Sequence, residues 1–533
     1  MKVVVIGGAG VFGARLAELL LRDGHVVVVA GRRAAPLQAL TARIGGTHLC
    51  LDRTGDLSPL WALKPDVVVD AAGPFHAYGK DPYALARAAI GKGVNYLDLA
   101  DDADFCAGIS ALNDAAAAAG VFALSGVSSV PALSSAIVAD LAADTPIDAI
   151  HTAILPGNRA PRGRAVVESI LHQAGTPMQH QIDGAQVTLR SWTQRRMFHL
   201  GQGVRRAGYA IRVPDQTLFP AFFGARTVTF HAGLELGLMN RGLAVLSWMR
   251  HHLTFPMPVA AIYHAAKLLG PFGTDVGGMA VRVVTDDGTR HDWRLLVRKG
   301  EGPFVPGIAA RAVLRAPDSI RSGARPALAE VSRDAITDAL SDLAAVTEVA
   351  SSPPAPLFQR VLGEAFATLP QVVQDSHQTH APRRLIGQAR VDRGKGLWPR
   401  LIAAVVGFPP ASDAIPVTVT KSPVAGKEVW QRDFGGRVFR SVMAARQGHM
   451  TEKFGPLTFD LALRVAADGL HFPVSAGRFL GMPMPSWVLP KSVAVETAQD
   501  GQFRFDVALY APLTGQLIVR YRGHLARAAT ERV

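Results

Sequence analysis

The stretch VVVIGGAGVFGARLAELLLRDGHVVVVAGRR, from Val3 to Arg33, decides the fold of the N-terminal part of this chain. Val3 to Ile6 is an all-apolar run, which is typical of a parallel strand buried on both faces. A glycine-rich turn follows, then leucines at helical spacing up to Gly24, and then a second apolar strand from Val26 to Ala30. The order strand, glycine turn, helix, strand predicts a doubly wound, mostly parallel α/β sheet.

The glycine turn has the G-x-G-x-x-G spacing. It consists of Gly8, Ala9, Gly10, Val11, Phe12 and Gly13. Because it stands between a strand and a helix, it predicts the dinucleotide-binding loop of a Rossmann fold. We expect Gly8 to allow the tight turn, Gly10 to let backbone N–H groups approach a pyrophosphate, and Gly13 to let the helix lie close to the strand. The helix N-terminus would add partial positive charge at the phosphates.

The end of the second strand, Ala30-Gly31-Arg32-Arg33, predicts which nucleotide is bound. An NAD site usually has Asp or Glu there to bind the ribose 2′-hydroxyl, whereas this chain has glycine followed by two arginines. Arginine pairs with a 2′-phosphate that a carboxylate would repel. We therefore expect NADP(H) rather than NAD(H), bound by Arg32 and Arg33. Asp52, after a predicted third strand from His48 to Leu51, is expected to reach the adenine amino group.

A fourth predicted strand, from Asp66 to Ala72, leads to the presumed edge of the ligand crevice. The residues that we expect against the cofactor at this edge are Ala72, Gly73 and Pro74. Reduction by hydride transfer also needs a proton donor. The candidate catalytic residues are His76, Tyr78 and Asp98, of which Asp98 would orient one of the other two. Packing, helix capping and a solvated side chain are the alternatives for these three.

Four further stretches carry a resemblance to a known family. They are AAGPFHAYG (71–79), GVNYLDLADD (93–102), AGVFALSGVSSVPALSS (119–135) and GPFVPGIAARAV (302–313). Together with the glycine loop they resemble the saccharopine dehydrogenase-like oxidoreductases over about residues 1–345. The resemblance implies a Rossmann domain, a second α/β domain and hydride chemistry with a nicotinamide cofactor. Trans-acting enoyl reductases and membrane-associated animal proteins share it, so the substrate stays open.

The part of the chain after the linker-like stretch ASSPPAP (350–356) changes character. Strand-like runs recur there between Asp-Gly turns, which predicts a mostly antiparallel β domain, as a barrel or a curved sheet. The stretches LFQRVLGEAF, EVWQRDFGGRVFRS, EKFGPLTFDL, LGMPMPSWVLP and LIVRYRGHL resemble a bacterial domain of unknown function. Its charged residues Glu428, Arg432, Arg437, Glu452 and Arg520 are expected either to pair across strands or to line a pocket for a carboxylate or phosphopantetheine.

These patterns predict the domain organisation. We expect an NADP-binding Rossmann domain over residues 1–135, a second α+β domain for substrate or dimerisation over 136–345, a linker over 346–356 and a β-rich domain over 357–533. A helix from Arg333 to Val346 is expected to close the second domain. A patch from Leu243 to Phe272 combines apolar and basic residues, so it could lie in a membrane interface, cover an apolar substrate or be an ordinary helical insert.

Composition narrows the class of protein. The 533 residues carry a net charge of +13 and two cysteines, too few for a disulfide framework or a zinc cluster, and we expect no bound metal. No apolar run reaches the length of a membrane span and no signal peptide is recognisable, so we expect a cytoplasmic protein, with peripheral contact to the inner membrane left open. The basic charge suits an acidic carrier or anionic lipid, or reflects arginine as the default surface residue. Nucleic acid is not expected, since basic and aromatic residues do not interleave.

We interpret the chain as an NADPH-dependent oxidoreductase that reduces a hydrophobic acyl, enoyl or keto substrate, free or bound to a carrier. One alternative is an NADP(H)-binding scaffold without turnover. The other is an amino-acid-type dehydrogenase that forms a secondary amine, for which Arg159, Arg162 and Arg164 would have to bind two carboxylates. A homodimer is the assembly that we consider.

Overall fold

The computed structural model describes residues 1–160, 171, 173–252, 262, 264, 268–354, 356–424, 426–446 and 449–528. The chain divides into two compact units. The first comprises residues 1–181, 186–286 and 290–351, and the second comprises 182–185, 287–289 and 352–533.

A seven-stranded parallel sheet forms the N-terminal part of the first unit. Its strands are β1 (Lys2–Ile6), β2 (Val26–Gly31), β3 (Thr47–Cys50), β4 (Val67–Asp70), β5 (Asn95–Asp98), β6 (Phe122–Ser125) and β15 (Gly323–Pro326), in the order β15-β6-β5-β4-β1-β2-β3. Val3 and Val5 belong to one apolar cluster, and Val4 and Ile6 belong to another. Both faces of β1 are therefore buried, which explains its all-apolar sequence.

The helices of the first unit cover this sheet and a second sheet. They are α1 (Val11–Arg22), α2 (Ala34–Ile44), α3 (Ser58–Ala62), α4 (Ala84–Gly91), α5 (Ala103–Gly108), α6 (Asn113–Ala118), α7 (Ser134–Ala142), α8 (Pro214–Phe223), α9 (Gly237–His252), α10 (Ile308–Arg315) and α11 (Arg333–Ala339). Single turns of 3₁₀-helix span Phe75–Ala77, Ile109–Leu112, Gly302–Gly307 and Pro317–Ser319, and a π-turn spans Ser129–Leu133.

The second sheet of the first unit is mixed. Its strands are β7 (Ile147–Leu155), β10 (Thr193–His199), β11 (Arg205–Ala210), β12 (Thr227–Ala232), β13 (Gly277–Thr285), β14 (Arg290–Val297) and β16 (Ala345–Ser352), in the order β10-β11-β12-β7-β13-β14-β16. Strands β8 (Pro177–Ile182) and β9 (Ala185–Arg190) form a separate pair. Strands β13 and β14 form an antiparallel hairpin, in which Val284 pairs with Arg290.

The second unit contains a thirteen-stranded antiparallel sheet. Its strands are β17 (Arg383–Arg393), β18 (Ser412–Val424), β19 (Lys427–Phe434), β20 (Arg437–Arg446), β21 (His449–Phe454), β22 (Leu457–Leu461), β23 (Arg464–Ala466), β24 (Gly469–His471), β25 (Val474–Phe479), β26 (Met482–Pro483), β27 (Lys491–Gln499), β28 (Gln502–Tyr510) and β29 (Leu517–Arg527). Their order is β23-β24-β27-β28-β29-β17-β18-β19-β20-β21-β22-β25-β26. Its helices are α12 (Leu357–Leu362), α13 (Gln371–His377) and α14 (Leu397–Val406), and 3₁₀ turns span Gly363–Thr368 and Ser486–Val488.

The predicted fold class is confirmed, namely a parallel Rossmann-type sheet, a second α/β part and an antiparallel C-terminal domain. The helix predicted from Arg333 to Val346 is wrong beyond Ala339, because a strand begins at Ala345 and completes the edge of the second sheet beside β14. Residues 346–352 of the predicted linker therefore lie in β16. In the part of the chain that the structure describes, no helix is long and apolar enough to cross a membrane.

A buried arginine on α10 connects the end of α1 with the end of α11. Arg311 is 2% exposed, and its Nε and Nη2 atoms each donate to Asp23 at 2.8 Å. Nη1 donates to the Ala339 carbonyl at 2.8 Å and also to Asp342. Although burial works in the opposite direction, Arg311 and Arg315 hold the pKa of Asp23 well below its usual range. Removing the guanidinium would leave a carboxylate without its main counter-charge.

We expect Arg311→Met to destabilise the first unit by about 3–5 kcal/mol, the cost of breaking a buried ion pair from one side. The measurement is scanning calorimetry, in which NADPH identifies the transition of this unit by raising its midpoint. Arg333→Met removes a half-exposed pair with Asp140 and serves as the matched control, with an expected loss within about 1 kcal/mol. Equal losses in the two variants would show that Arg311 is no anchor.

Candidate functional site

The glycine turn between β1 and α1 is packed too tightly for side chains. Gly7 has a φ of +72°, and a Cβ there would lie 2.6 Å from the Cα of Ala72. A Cβ on Gly13 would lie 2.5 Å from the carbonyl oxygen of Gly7, so this glycine does let the helix approach the turn. The positive φ is that of Gly7 and not of Gly8. At Gly8 the constraint is space, because a Cβ there would lie 2.7 Å from the Cβ of Val29. The turn thus joins β1, α1 and the loop after β4.

The N-terminus of α1 opens beside this turn and lacks a cap. Gly10 is the N-cap residue, its N–H is bonded to the Gly7 carbonyl at 2.8 Å, and no side chain among the described residues caps the first turn. The first turn also contains no acidic residue. Val11 and Phe12, the first helical residues, therefore present N–H groups and partial positive charge to an anion. This arrangement fits a pyrophosphate.

A cavity of about 360 Å³ lies along the turn and the ends of the neighbouring strands. It is lined by Ile6, Gly7, Ala9, Gly10, Ala30, Gly31, Arg32, Arg33, Pro36, Leu37, Leu51, Asp52, Arg53, Thr54, Ala71, Ala72 and Gly73. Of the predicted cofactor residues, the lining includes Ala9, Gly10, Arg32, Arg33, Asp52, Ala72 and Gly73. Gly8, Val11, Phe12, Gly13 and Pro74 lie outside the lining, at the base of the turn, in α1 and in the loop after β4.

Three arginines stand around this cavity, one more than the sequence pattern predicts. Arg32 and Arg33 are exposed at the end of β2. Arg53 follows Asp52 at the end of β3, and its guanidinium carbon lies 3.4 Å from the centre of the Tyr78 ring. The sequence contains a signal for Arg53, because this arginine follows the predicted third strand, whose end we already expected at the crevice. The cavity therefore has a strong positive excess where a 2′-phosphate needs it.

Among the described residues that line the cavity, Asp52 is the only one with a carboxylate. It accepts hydrogen bonds from the N–H of Thr54 at 3.0 Å and from the Thr54 hydroxyl at 2.8 Å. These two bonds, together with the charges of Arg32 and Arg53, hold the pKa of Asp52 below its usual value. The carboxylate is therefore ionised at neutral pH and can accept from an amino group. Its contact with adenine stays a prediction.

The carboxyl ends of β4 and β5 place two buried acids side by side. Asp70 and Asp98 are paired in the sheet register, and both are fully buried. Asp98 accepts from Gly126 N–H at 2.8 Å, Ser125 Oγ at 2.9 Å and Ala100 N–H at 3.0 Å. Burial raises the pKa of Asp98 to about 7 and also raises that of Asp70. Asp98 thus ties the loops after β5 and β6 together.

Tyr78 is held by Asp70 and not by Asp98. Its hydroxyl donates to Asp70 Oδ1 at 3.1 Å, so the predicted role of Asp98 in orienting it does not match the geometry. The ring packs against Phe75 and Phe105, with centroids 4.8 Å and 5.3 Å away. Burial and the charge of Asp70 raise the pKa of Tyr78 far above its usual value. Such a phenol is a poor proton donor, because its anion would be buried beside a carboxylate.

His76 is the predicted catalytic residue that reaches the surface. It lies in the 3₁₀ turn Phe75–Ala77 directly after the Gly73-Pro74 edge of the crevice, and its side chain is exposed. Cys106 is buried, and burial raises the pKa of its thiol well above the usual value, as expected of a packed side chain rather than a nucleophile. Among the described residues, no group of three or more His, Cys, Asp or Glu is arranged to bind a metal ion.

The other predicted features are described only in part. Arg159 donates to the Pro271 carbonyl at 3.2 Å, whereas Arg162 and Arg164 lie outside the described residues, so a two-carboxylate site stays a prediction. In the patch from Leu243 to Phe272, the residues Phe255, Pro256, Pro258, Tyr263 and Lys267 also lie outside them. The described part exposes large apolar side chains. These are Val245 and Trp248 on α9, and Leu268 and Phe272 beyond it, and Leu238, which precedes the patch on α9, is exposed as well.

Comparison with protein-family profiles gives one match in the N-terminal part of the chain and one in the C-terminal part. Residues 3–124 match the family profile described as saccharopine dehydrogenase NADP binding domain, and residues 369–525 match a domain of unknown function, DUF4166. A search of curated proteins returned no significant match.

A search of solved structures returned several matches. The saccharopine dehydrogenase (L-Glu forming) of Saccharomyces cerevisiae is 13% identical over 66% of this chain and 99% of its own, with a TM-score of 0.47. A dehydrogenase from Clostridium difficile is 8% identical over 64% and 96%, with a TM-score of 0.30. A betaketoacyl-ACP reductase from Bacteroides thetaiotaomicron is 20% identical over 24% and 75%, with a TM-score of 0.20.

The glycine turn, the uncapped helix and the arginine-lined cavity all lie within or beside the first of the two matched regions. Residues 3–124 therefore match a saccharopine dehydrogenase NADP-binding domain, and residues 369–525 match a DUF4166 domain.

Proposed function

We propose that this protein is an NADPH-dependent reductase that acts on an apolar acyl, enoyl or keto substrate. The observation that carries the nucleotide part of this proposal is the cavity in which Arg32, Arg33 and Arg53 surround the end of β2, where Gly31 replaces the acidic residue of an NAD site. Hydride transfer is the chemistry that bound NADPH supplies.

Different residues around the cavity would hold different parts of the nucleotide. Arg32 and Arg33 bind the 2′-phosphate, and the N-terminus of α1 binds the pyrophosphate. The loops after β4 and β5 would hold the nicotinamide end, since ligands of open α/β sheets lie along the carboxyl ends of the strands. His76, exposed on the loop after β4, donates the proton that a reduced carbon or oxygen requires.

An apolar substrate is supported by the surface of α9. Leu238, Val245 and Trp248 are 70%, 55% and 64% exposed, and their spacing places them on one side of the helix. Exposed apolar side chains grouped in this way mark a contact with a ligand, a lipid surface or another protein. We propose that this side of α9 receives the acyl chain of the substrate, which is presented free, by a carrier or from a membrane surface.

A scaffold without turnover is the second candidate, and one observation favours it. Tyr78 and Asp98, two of the three predicted catalytic residues, are buried and engaged in contacts within the fold. If His76 has no catalytic role, the described crevice keeps the nucleotide but lacks a proton donor from the predicted set. Binding of NADPH without oxidation in the presence of any tested substrate would support this candidate.

Arg32→Glu is expected to weaken NADPH binding by about 10- to 100-fold, the value of one lost charge-assisted hydrogen bond, and to leave NADH binding nearly unchanged. The measurement is titration of the intrinsic fluorescence of the full chain with each nucleotide. Arg43→Glu changes the net charge equally but lies on α2, outside the cavity lining, and should bind NADPH normally. An equal loss in both variants would mean that Arg32 acts only through overall charge.

His76→Gln is expected to lower kcat by about 100-fold with little change in the Kd of NADPH, because it removes a general acid but no phosphate contact. Activity is measured as NADPH oxidation with enoyl and 3-ketoacyl thioesters of increasing chain length. Tyr78→Phe removes only the hydroxyl bonded to Asp70 and should keep most of the activity. The opposite ranking of the two variants would assign the proton donor to Tyr78.

A further inference from the structure

Among the described residues of the second unit, a histidine, a lysine and two glutamates are buried close together. His377 ends α13, Lys421 lies on β18, Glu428 on β19 and Glu496 on β27, and their exposures are 0%, 1%, 1% and 9%. We call these four residues the interior cluster. The phenyl ring of Phe358 lies 3.8 Å from the His377 ring, centroid to centroid. Charged groups are rarely buried among apolar ones unless they are paired or functional.

Curvature of the sheet brings the interior cluster together. Strands β27 and β18 are separated by β28, β29 and β17 in the sheet order. In a flat sheet they would lie about 19 Å apart, at roughly 4.8 Å per strand. Instead His377 contacts both Glu496 on β27 and Lys421 on β18. The cluster therefore occupies the concave interior that the sequence pattern predicted.

Lys421 is placed beside a histidine and an indole ring. Its Nζ donates to the carbonyl of Ser376 at 2.7 Å, lies 3.4 Å from His377 Nδ1 and stands 4.1 Å from the centre of the Trp430 ring. His377 Nε2 is bonded to Glu496 Oε2. A neutral His377 that donates from Nε2 to Glu496 has its lone pair on Nδ1, toward the lysine. It can therefore accept a proton from Lys421.

Glu428 has a free oxygen in this interior. Its Oε2 accepts from the Trp430 indole N–H at 2.8 Å, but Oε1 is buried and has no hydrogen-bond partner among the described residues. Its neighbours across the sheet are Pro423 and Met443, whose side chains offer no donor. A buried carboxyl oxygen without a partner is costly and points to a ligand.

Cross-strand pairing explains Arg432, Glu452 and Arg520, but not Glu428 or Arg437. Arg432 donates to Glu452 at 3.0 Å and to the Ser441 hydroxyl at 2.7 Å. Arg520 donates to Asp506 from Nε at 2.8 Å. These pairs confirm the structural alternative for Arg432, Glu452 and Arg520, whereas Arg437 is exposed at the start of β20.

Burial shifts the proton affinities of the cluster in directions that suit chemistry at an amine. It lowers the pKa of Lys421 to about 8 and that of His377 to about 4. It raises the pKa of Glu428. For Glu496 burial works to raise the pKa, but His377 and Lys421 outweigh it and hold the value below normal. A fraction of Lys421 is thus a neutral amine near pH 7, beside a carboxyl that retains its proton more readily than usual.

We propose that the interior cluster is a carbonyl-binding site, in which the Lys421 amine condenses with an aldehyde or ketone that bears an apolar chain. The set contains the three groups that imine formation needs, namely an amine nucleophile, a base at its nitrogen and an acid for the carbonyl oxygen. Phe358, Trp430 and the surrounding apolar core favour an alkyl substituent on the carbonyl compound.

The condensation balances without an oxidant or reductant. The neutral fraction of Lys421 is the nucleophile, and its nitrogen, oriented by the contact with His377 Nδ1, forms a bond to the carbonyl carbon. Protonated Glu428 gives its proton to the carbonyl oxygen and takes one from the nitrogen, which gives a neutral carbinolamine. Glu428 then protonates the hydroxyl group, the C–O bond breaks and water leaves, so that Glu428 ends as a carboxylate. The product is a protonated imine on Lys421 and one water molecule.

Reductive trapping of the full chain tests this site. The protein is incubated with hexanal and sodium cyanoborohydride at pH 7, and the alkylated lysines are located by peptide mass spectrometry. Lys427, exposed on β19, is the reference within the same molecule. We expect Lys421 to react at least about tenfold faster than Lys427, because its pKa of about 8 leaves more neutral amine than the roughly 10.4 of a free lysine.

Matched variants separate a reactive site from a merely accessible lysine. His377→Gln and Glu428→Gln keep similar shapes and should each slow trapping at Lys421 by about tenfold or more, with labelling of Lys427 unchanged. Modification of Lys427 without modification of Lys421 in the unaltered protein would overturn the proposal and leave the cluster as a structural ion network. This readout needs no nucleotide, so it does not depend on the proposed reductase activity.

Discussion

The backbone contact between the glycine turn and its surroundings is the constraint on which the nucleotide cavity depends. At Gly13 a side chain would press into the Gly7 carbonyl, and at Gly7 it would press into the backbone of Ala72. Because no Cβ intervenes, the N-terminus of α1 and the loop after β4 both reach the turn. These two elements supply the positive helix end and the wall at Ala71 to Gly73. A larger residue at either glycine would separate them before it touched any ligand.

The two acids at the ends of β4 and β5 make hydrogen bonds within the fold. Asp70 and Asp98 are placed by sheet register at the edge where ligands bind, yet one oxygen of each, Oδ1, accepts from Tyr78 or from the loops after β5 and β6. Both are fully buried, so a charge there would cost more than it would at the surface. The catalytic role proposed above therefore falls to the loop after β4, on which His76 is exposed.

The second unit uses buried charge in two ways. The pairs Arg432–Glu452 and Arg520–Asp506 join strands, and each charge has a partner of opposite sign. The interior cluster differs, because its charges come from one helix end and three strands, and one carboxyl oxygen has no hydrogen-bond partner among the residues that the structure describes. Replacing buried ion networks by apolar residues is often neutral for stability. An interior that keeps such groups, with one atom unsatisfied, is more simply explained by a ligand than by stability.

The sequence by itself determined the elements whose signals are local. Apolar runs, the glycine spacing and the change from Asp or Glu to Gly31-Arg32-Arg33 predicted the parallel sheet and its nucleotide, since buried strands, tight turns and phosphate pairing each require particular residues at short spacing. Asp-Gly turns between strand-like runs predicted the antiparallel domain in the same way.

Tertiary structure alone decided the contacts between residues that are distant in sequence. In the folded chain β15 joins the first sheet, and Arg53 lies over the ring of Tyr78. The Tyr78 hydroxyl is bonded to Asp70 instead of Asp98. One oxygen of Glu428 has no hydrogen-bond partner among the described residues. The helix that begins at Arg333 ends at Ala339, because the residues from Ala345 onward form an edge strand of the second sheet. Period and turn chemistry act over a few residues, whereas partners of this kind are selected by packing and by sheet curvature.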